Sequence, residues 1–243
     1  LGKQLNWNAE IDVDWSPEYP DITEEEFQFE DEQWKRHPVY KTWDEEKRKQ
    51  FFRDLSSWSI SQFLHGEQGA LLVASQLTSC APTFNAKLYA ASQTFDEARH
   101  VEAFNKYLQT RMKKTWPIGR SLKGLLDKIL TDPRWDLKFI GMQVIIEGLA
   151  LAAFQTSKEI SRDPVYKQMI EYIIRDEARH VTFGINYLTD FVQTLSKEEQ
   201  IDRANFALEA CTVSRSRLRP YEVWTKYGFD IEETEEYQKK EVF

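Results

Sequence analysis

The chain has 243 residues and carries 40 acidic side chains against 32 Lys and Arg, a formal charge of −8, which excludes binding nucleic acid through a basic face. Hydrophobic residues make up 41% and aromatic residues 14%, including eight Trp, against nine Gly and eight Pro; the chain is neither disordered nor of low complexity, and it is long enough for a proper core. Its two cysteines, Cys80 and Cys211, form neither a metal-binding pair nor a disulfide framework, so a reducing, cytoplasmic setting is expected.

In chain order, residues 1–41 mix proline breakers with acidic runs at 24–26 and 30–32 without a sustained period, and are read as an arm draped on the body. Thr42 followed by Glu45 is a capping-box pattern. It predicts a helix through Phe51 and Phe52, a break near Ser56 and Ser57, and helix again over 61–76. Pro82, Pro133 and Pro164 each suit a first helical position, where a missing N–H costs nothing. The most apolar window, 139–154, reads as too short for a membrane span and contains Gln143 and Glu147; the start shows no signal-peptide pattern. Ser196 with Glu199 caps an extra helix over 196–227, and an acidic tail follows over 228–243. The expected fold is all-α, one domain over 1–243 with its core at 58–195; no stretch alternates long enough for a strand.

An internal repeat carries the chemistry. Asp96-Glu97-Ala98-Arg99-His100-Val101 recurs as Asp176-Glu177-Ala178-Arg179-His180-Val181, and the same 80-residue offset aligns Glu67 with Glu147. The chain thus reads as two copies of one helical hairpin. A spacing of three puts Glu97 beside His100, and Glu177 beside His180, on one helical face. Glu67 and Glu97 lie symmetrically about residue 82, Glu147 and Glu177 about residue 162; in antiparallel hairpins such pairs sit level, about 22 Å from the turn. Four glutamates converging in an apolar core require protons or cations. Carboxylates with one imidazole per metal suit iron or manganese better than structural zinc. One Glu from each of two helices with a Glu-x-x-His from each of two others is the ligand set of the ferritin-like di-metal bundle. His37 and His65 are read as ordinary polar residues, since His65 points away from Glu67 on its helix.

On these motifs the chain resembles the ribonucleotide-reductase-like branch of the ferritin-like superfamily, a four-helix bundle with additional helices built from two hairpins. The doubled D-E-x-R-H is closer to multicomponent monooxygenase hydroxylases and acyl-carrier-protein desaturases than to storage ferritins. The resemblance implies that Asp96 hydrogen-bonds His180 and Asp176 hydrogen-bonds His100, with Arg99 and Arg179 balancing the buried acids. It also implies a homodimer. Departures narrow the expectation: Phe104 stands where reductase subunits keep a radical-forming Tyr, Leu151 and Ala150 where hydroxylases and desaturases keep a Thr, and Ile173 where arylamine oxygenases have a third His.

The leading expectation is a di-iron oxidoreductase in which Glu67, Glu97, His100, Glu147, Glu177 and His180 would hold two Fe ions, with Mn or mixed Mn/Fe as alternatives, and O2 as co-substrate. Phe63, Leu71, Ala74, Gln93, Phe104, Gln143, Leu151, Phe154, Ile173 and Phe183 are expected to line a pocket for a small, largely apolar organic substrate. Rival readings are iron oxidation or oxidant scavenging of the ferritin or rubrerythrin kind, and a catalytic subunit served by a ferredoxin or reductase docking on the basic stretches 111–114 or Arg215, Arg217 and Arg219.

Overall fold

The computed structural model describes residues 6–20, 37–215 and 219–232, and all regular structure among them is helical. Helix α1, Pro38–Lys41, is capped by His37, whose Nδ1 accepts from the Val39 amide. Thr42 closes α1 by donating to the Val39 carbonyl, so the capping role expected of it passes to Asp44, which accepts from the Lys47 amide at 2.8 Å and starts α2, Glu45–Cys80. No break occurs at Ser56 and Ser57. The Ser57 and Ser61 hydroxyls donate to carbonyls of the preceding turn, which satisfies them within one continuous helix.

Helix α3, Phe84–Tyr107, runs on through a π-helical turn, Leu108–Met112, and ends at Lys113 in the left-handed region. Thr83 caps α3 and leaves Pro82 in the turn. Helix α4, Arg120–Thr131, buries Leu122, Leu125, Leu126 and Ile129. It approaches α2 closely at Gly69, where a Cβ would lie 2.5 Å from Leu126 Cδ2.

Helix α5 spans Trp135–Ile160, with a π-helical middle at Phe139–Ile146. Arg134 is its cap residue, so Pro133 precedes the helix. By length and composition α5 could cross a membrane, contrary to the expectation from the 139–154 window alone, but 56% of its most apolar stretch is buried inside the protein. Helix α6, Pro164–Val192, starts on Pro164 with Asp163 as cap, as expected. Ser196 and Glu199 bond each other's amides reciprocally at 2.9 and 3.3 Å before α7, Lys197–Arg215. A separate helix α8, Tyr221–Lys226, follows; the segment expected as one helix over 196–227 therefore holds two.

The hairpins α2–α3 and α5–α6 pack into the bundle. One core cluster joins α4, α5 and α7, and another joins α2, α3 and α6 to Trp7, Ala9 and Val13 of the arm. A third, aromatic cluster closes the end where α1 and α8 meet α2. There Gly228 turns the chain at φ +84, and Phe229 packs buried against Trp43 and Phe51, so the solvated tail starts later than Gly228. The acidic runs of the arm and Glu233, Glu235 and Glu236 of the tail lie outside the described residues.

Candidate metal centre

Helix α2 contributes Glu67, α3 contributes Glu97 and His100, α5 contributes Glu147 where its π-helical segment returns to α-helix, and α6 contributes Glu177 and His180. All six are at most 5% exposed. The His100 Nδ1 lies 3.2 Å from Glu67 Oε2, 3.3 Å from Glu97 Oε2 and 3.0 Å from Glu177 Oε1. The His180 Nδ1 lies 3.1 Å from Glu97 Oε1 and 3.6 Å from Glu177 Oε2. Two groups of candidate ligands result: Glu67, Glu97, His100 and Glu177, and Glu97, Glu147, Glu177 and His180, each with ligand atoms within 4.8 Å of one another. Glu97 and Glu177 belong to both. Both Glu177 oxygens, Glu147 Oε2 and His180 Nδ1 are buried without a hydrogen bond, and such atoms are what cations would satisfy. The donor set fits two divalent ions of the iron or manganese type.

Behind the imidazoles the repeats are joined crosswise. His100 Nε2 lies 3.2 Å from Asp176 Oδ2, and His180 Nε2 lies 3.2 Å from Asp96 Oδ2. Arg99 pairs with both Asp96 and Asp176, and Arg179 does the same at 3.1 and 2.8 Å. A carboxylate on each Nε2 fixes the imidazole so that Nδ1 faces the glutamates.

Without metal, protons stand in for cations. Burial, then the charge of Glu177, pushes the Glu67 and Glu147 carboxyls well above the usual range. Burial opposes charge on His100 and His180, but the surrounding carboxylates outweigh it and raise both well above 6.5. Glu97 is lowered against the effect of burial by the two histidines. Burial would likewise raise Asp176, yet His100, Trp7 and Arg179 bring it down to about 2.

Trp7 and Tyr89 escaped the sequence reading. The Trp7 indole N–H donates to Asp176 Oδ2 at 2.7 Å, and its ring stacks beside His100. Nothing local in the sequence links residue 7 to residue 176. Tyr89 meets His180 edge-on and stacks on Phe183 at 3.7 Å; its place two turns before Glu97 on the same helix was the available signal.

The residues expected around a substrate divide. Gln93 Nε2 donates to Glu147 Oε1 at 2.8 Å and Glu97 Oε1 at 3.1 Å, and Gln143 donates to Gln93 at 3.3 Å. Phe63, Phe104 and Phe154 pack on one another with centroids 4.8 to 5.9 Å apart, in the cluster that includes Ile173. Phe183 packs instead with Phe139 and Tyr187. Ala74 is buried, while Leu71 and Leu151 are half-buried.

His65 faces the Trp116 carbonyl and Gln68, and His37 caps α1; neither joins the centre. Of the basic stretch at 111–114, Arg111 pairs with Asp163 and Lys114 with Asp54. The side chains of Arg215 and Arg217 lie outside the described residues.

Fold and site together define a helical bundle of the R2-like, ferritin-like type with a buried carboxylate and histidine cluster. The chain is similar to an R2-like ligand-binding oxidase from Sulfolobus acidocaldarius, with TM-score 0.59 and 19% identity over 98% of this chain and 83% of that one. A variant R2-like ligand-binding oxidase with an aerobically reconstituted Mn/Fe cofactor gives TM-score 0.58 and 19% identity over 98% and 85%. Another, with an anaerobically reconstituted Mn/Fe cofactor, gives 0.58 and 18% over 98% and 88%. No family model and no curated protein matches the chain.

Proposed function

We propose that the protein is a di-metal oxidase that uses O2 to oxidise a small, largely apolar organic molecule. The observation that carries this reading is the pair of buried four-residue groups sharing Glu97 and Glu177. On it, Glu67, Glu97, His100 and Glu177 would hold one ion, and Glu97, Glu147, Glu177 and His180 the other. Two Fe ions, or Mn with Fe as in the similar oxidases, would supply electrons for reduction of O2.

This chain's own residues prepare the site. Asp96 and Asp176 hold the imidazole Nε2–H groups, so that each Nδ1 is free to ligate. Gln93 holds Glu147 and Glu97 through its two N–H donors. Phe63, Phe104 and Phe154 exclude water on one side and favour an apolar substrate.

Anaerobic loading with Fe(II) followed by rapid mixing with O2 tests the reading. The expected result is O2 uptake with a transient visible absorption. A sample containing two ions per chain that consumes no O2 would overturn it.

A further inference from the structure

We propose that Gln143 determines specificity: its Oε1 accepts a hydrogen bond from the substrate, so the molecule oxidised is a small, largely apolar one that carries an O–H or an amide N–H. The inference rests on the reading of the centre as a site for an organic substrate. Gln143 is 0% exposed, and its Oε1 has no hydrogen-bond partner. The neighbouring groups fix which way the amide lies. Gln93 donates from Nε2 to Glu147 Oε1 and Glu97 Oε1, which leaves its own Oε1 as an acceptor, and Gln143 Nε2 donates there at 3.3 Å. Gln143 Oε1 is thus the open end of a chain of amides that starts on two of the candidate ligands. A buried acceptor without a donor is costly and uncommon.

The repeat supplies an internal comparison. The turn of each hairpin lies beside the far end of the other, since Thr83 bonds Tyr187 at 2.8 Å and Tyr107 donates to Asp163 at 2.7 Å. The 80-residue offset therefore exchanges the two sides of the ligand level. It matches Phe63, Ile173 and Phe104 on one side with Gln143, Gln93 and Gly184 on the other. Three apolar side chains, two of them rings, correspond to two amides and a glycine. Neither the hairpin nor the ligand set demands the glutamines, because the sister positions are apolar.

The backbone also makes a place for Gln143. It lies in the π-helical segment Phe139–Ile146, and such segments inside α-helices are frequent at functional sites. Gly184 on α6 admits it, since a Cβ there would lie 2.6 Å from Gln143 Cβ. An ether, ester or carboxylate head has no hydrogen to give and would leave Gln143 Oε1 unpaired in a dry site, whereas an alcohol or an amide satisfies it. Sites built this way reject the analogue that lacks the donor, because binding it buries the unpaired group.

Calorimetric titration of the full chain, loaded with Mn(II) and kept free of O2, with 1-hexanol and with its isomer 1-methoxypentane tests this. The two probes contain the same atoms, but hexanol alone has an O–H. Hexanol should bind about tenfold more tightly. Gln143→Met, similar in shape but without the acceptor, should bring the two affinities together, and Gln143→Glu, which keeps an oxygen acceptor at that place, should retain the preference, with helix content and bound metal measured on both. Should Gln143→Met not fold, the native chain and Gln143→Glu decide. Equal affinities in the native chain, binding of neither probe, or a preference that survives Gln143→Met would overturn the proposal, as would its loss in folded, metal-loaded Gln143→Glu. Without O2 nothing is oxidised, so a failure of the oxidase reading leaves these affinities standing.

Discussion

At the residue scale, the shared and unshared glutamates make different predictions. Glu67 belongs to one candidate group and Glu97 to both, so Glu67→Ala should lower bound metal from two ions to about one, and Glu97→Ala should remove both; elemental analysis of the purified variants decides. Trp7→Phe removes a buried donor to the charged Asp176 and should cost about 2 kcal/mol of stability, with weaker metal binding because His100 loses part of its support. The protons of the metal-free centre set its pH response. Glu67, Glu147, His100 and His180 have raised pKa values in the folded chain, so they bind more protons folded than unfolded. Their contribution to stability is fully present below about 4.5 for the glutamates and 6.5 for the histidines, and is lost as pH rises through the raised values. Metal displaces those protons, so its binding tightens as pH rises. The Tm gap between loaded and metal-free protein should therefore widen from pH 6 to pH 9, with protons released on loading.

At the scale of elements, the π-helical middle of α5 is the feature that shapes the site from a distance. It presents Gln143 to Gln93 and ends at Glu147, and α6 reaches it only because residue 184 is glycine: a Cβ there would lie 2.6 Å from Gln143 Cβ. Gly184→Leu should cost about 1 to 3 kcal/mol and disturb metal binding. Gly148→Ala, with nothing within 4 Å of the new Cβ, should instead stabilise α5 by about 0.5 to 1 kcal/mol. Chemical denaturation of both variants checks the contrast. The π segment was not legible in the sequence, because its apolar run reads equally as α-helix. The helix starts were legible at Asp163-Pro164 and Ser196, and misread at Pro82 and Pro133, which precede their helices, and at Thr42, where Asp44 takes the cap.

At the scale of the whole molecule, the two hairpins and the six residues that meet between them were legible in the offset of 80 residues, because the repeat puts the same motif at the same height of each hairpin. What the repeat cannot encode is whatever joins distant parts only once. Trp7 closes over His100 from the arm, and buried Asp54 on α2 binds Lys114 and Lys226, pinning α8 beside the aromatic end. Such contacts depend on where the chain ends come to lie, which no local period records. We propose that both hairpins together hold two metal ions at one buried centre. Anaerobic titration of metal-free protein with Fe(II) or Mn(II), followed calorimetrically with metal counted in the product, tests it most directly: two equivalents bound per chain with release of protons is the predicted result, and saturation at one equivalent or none would contradict it.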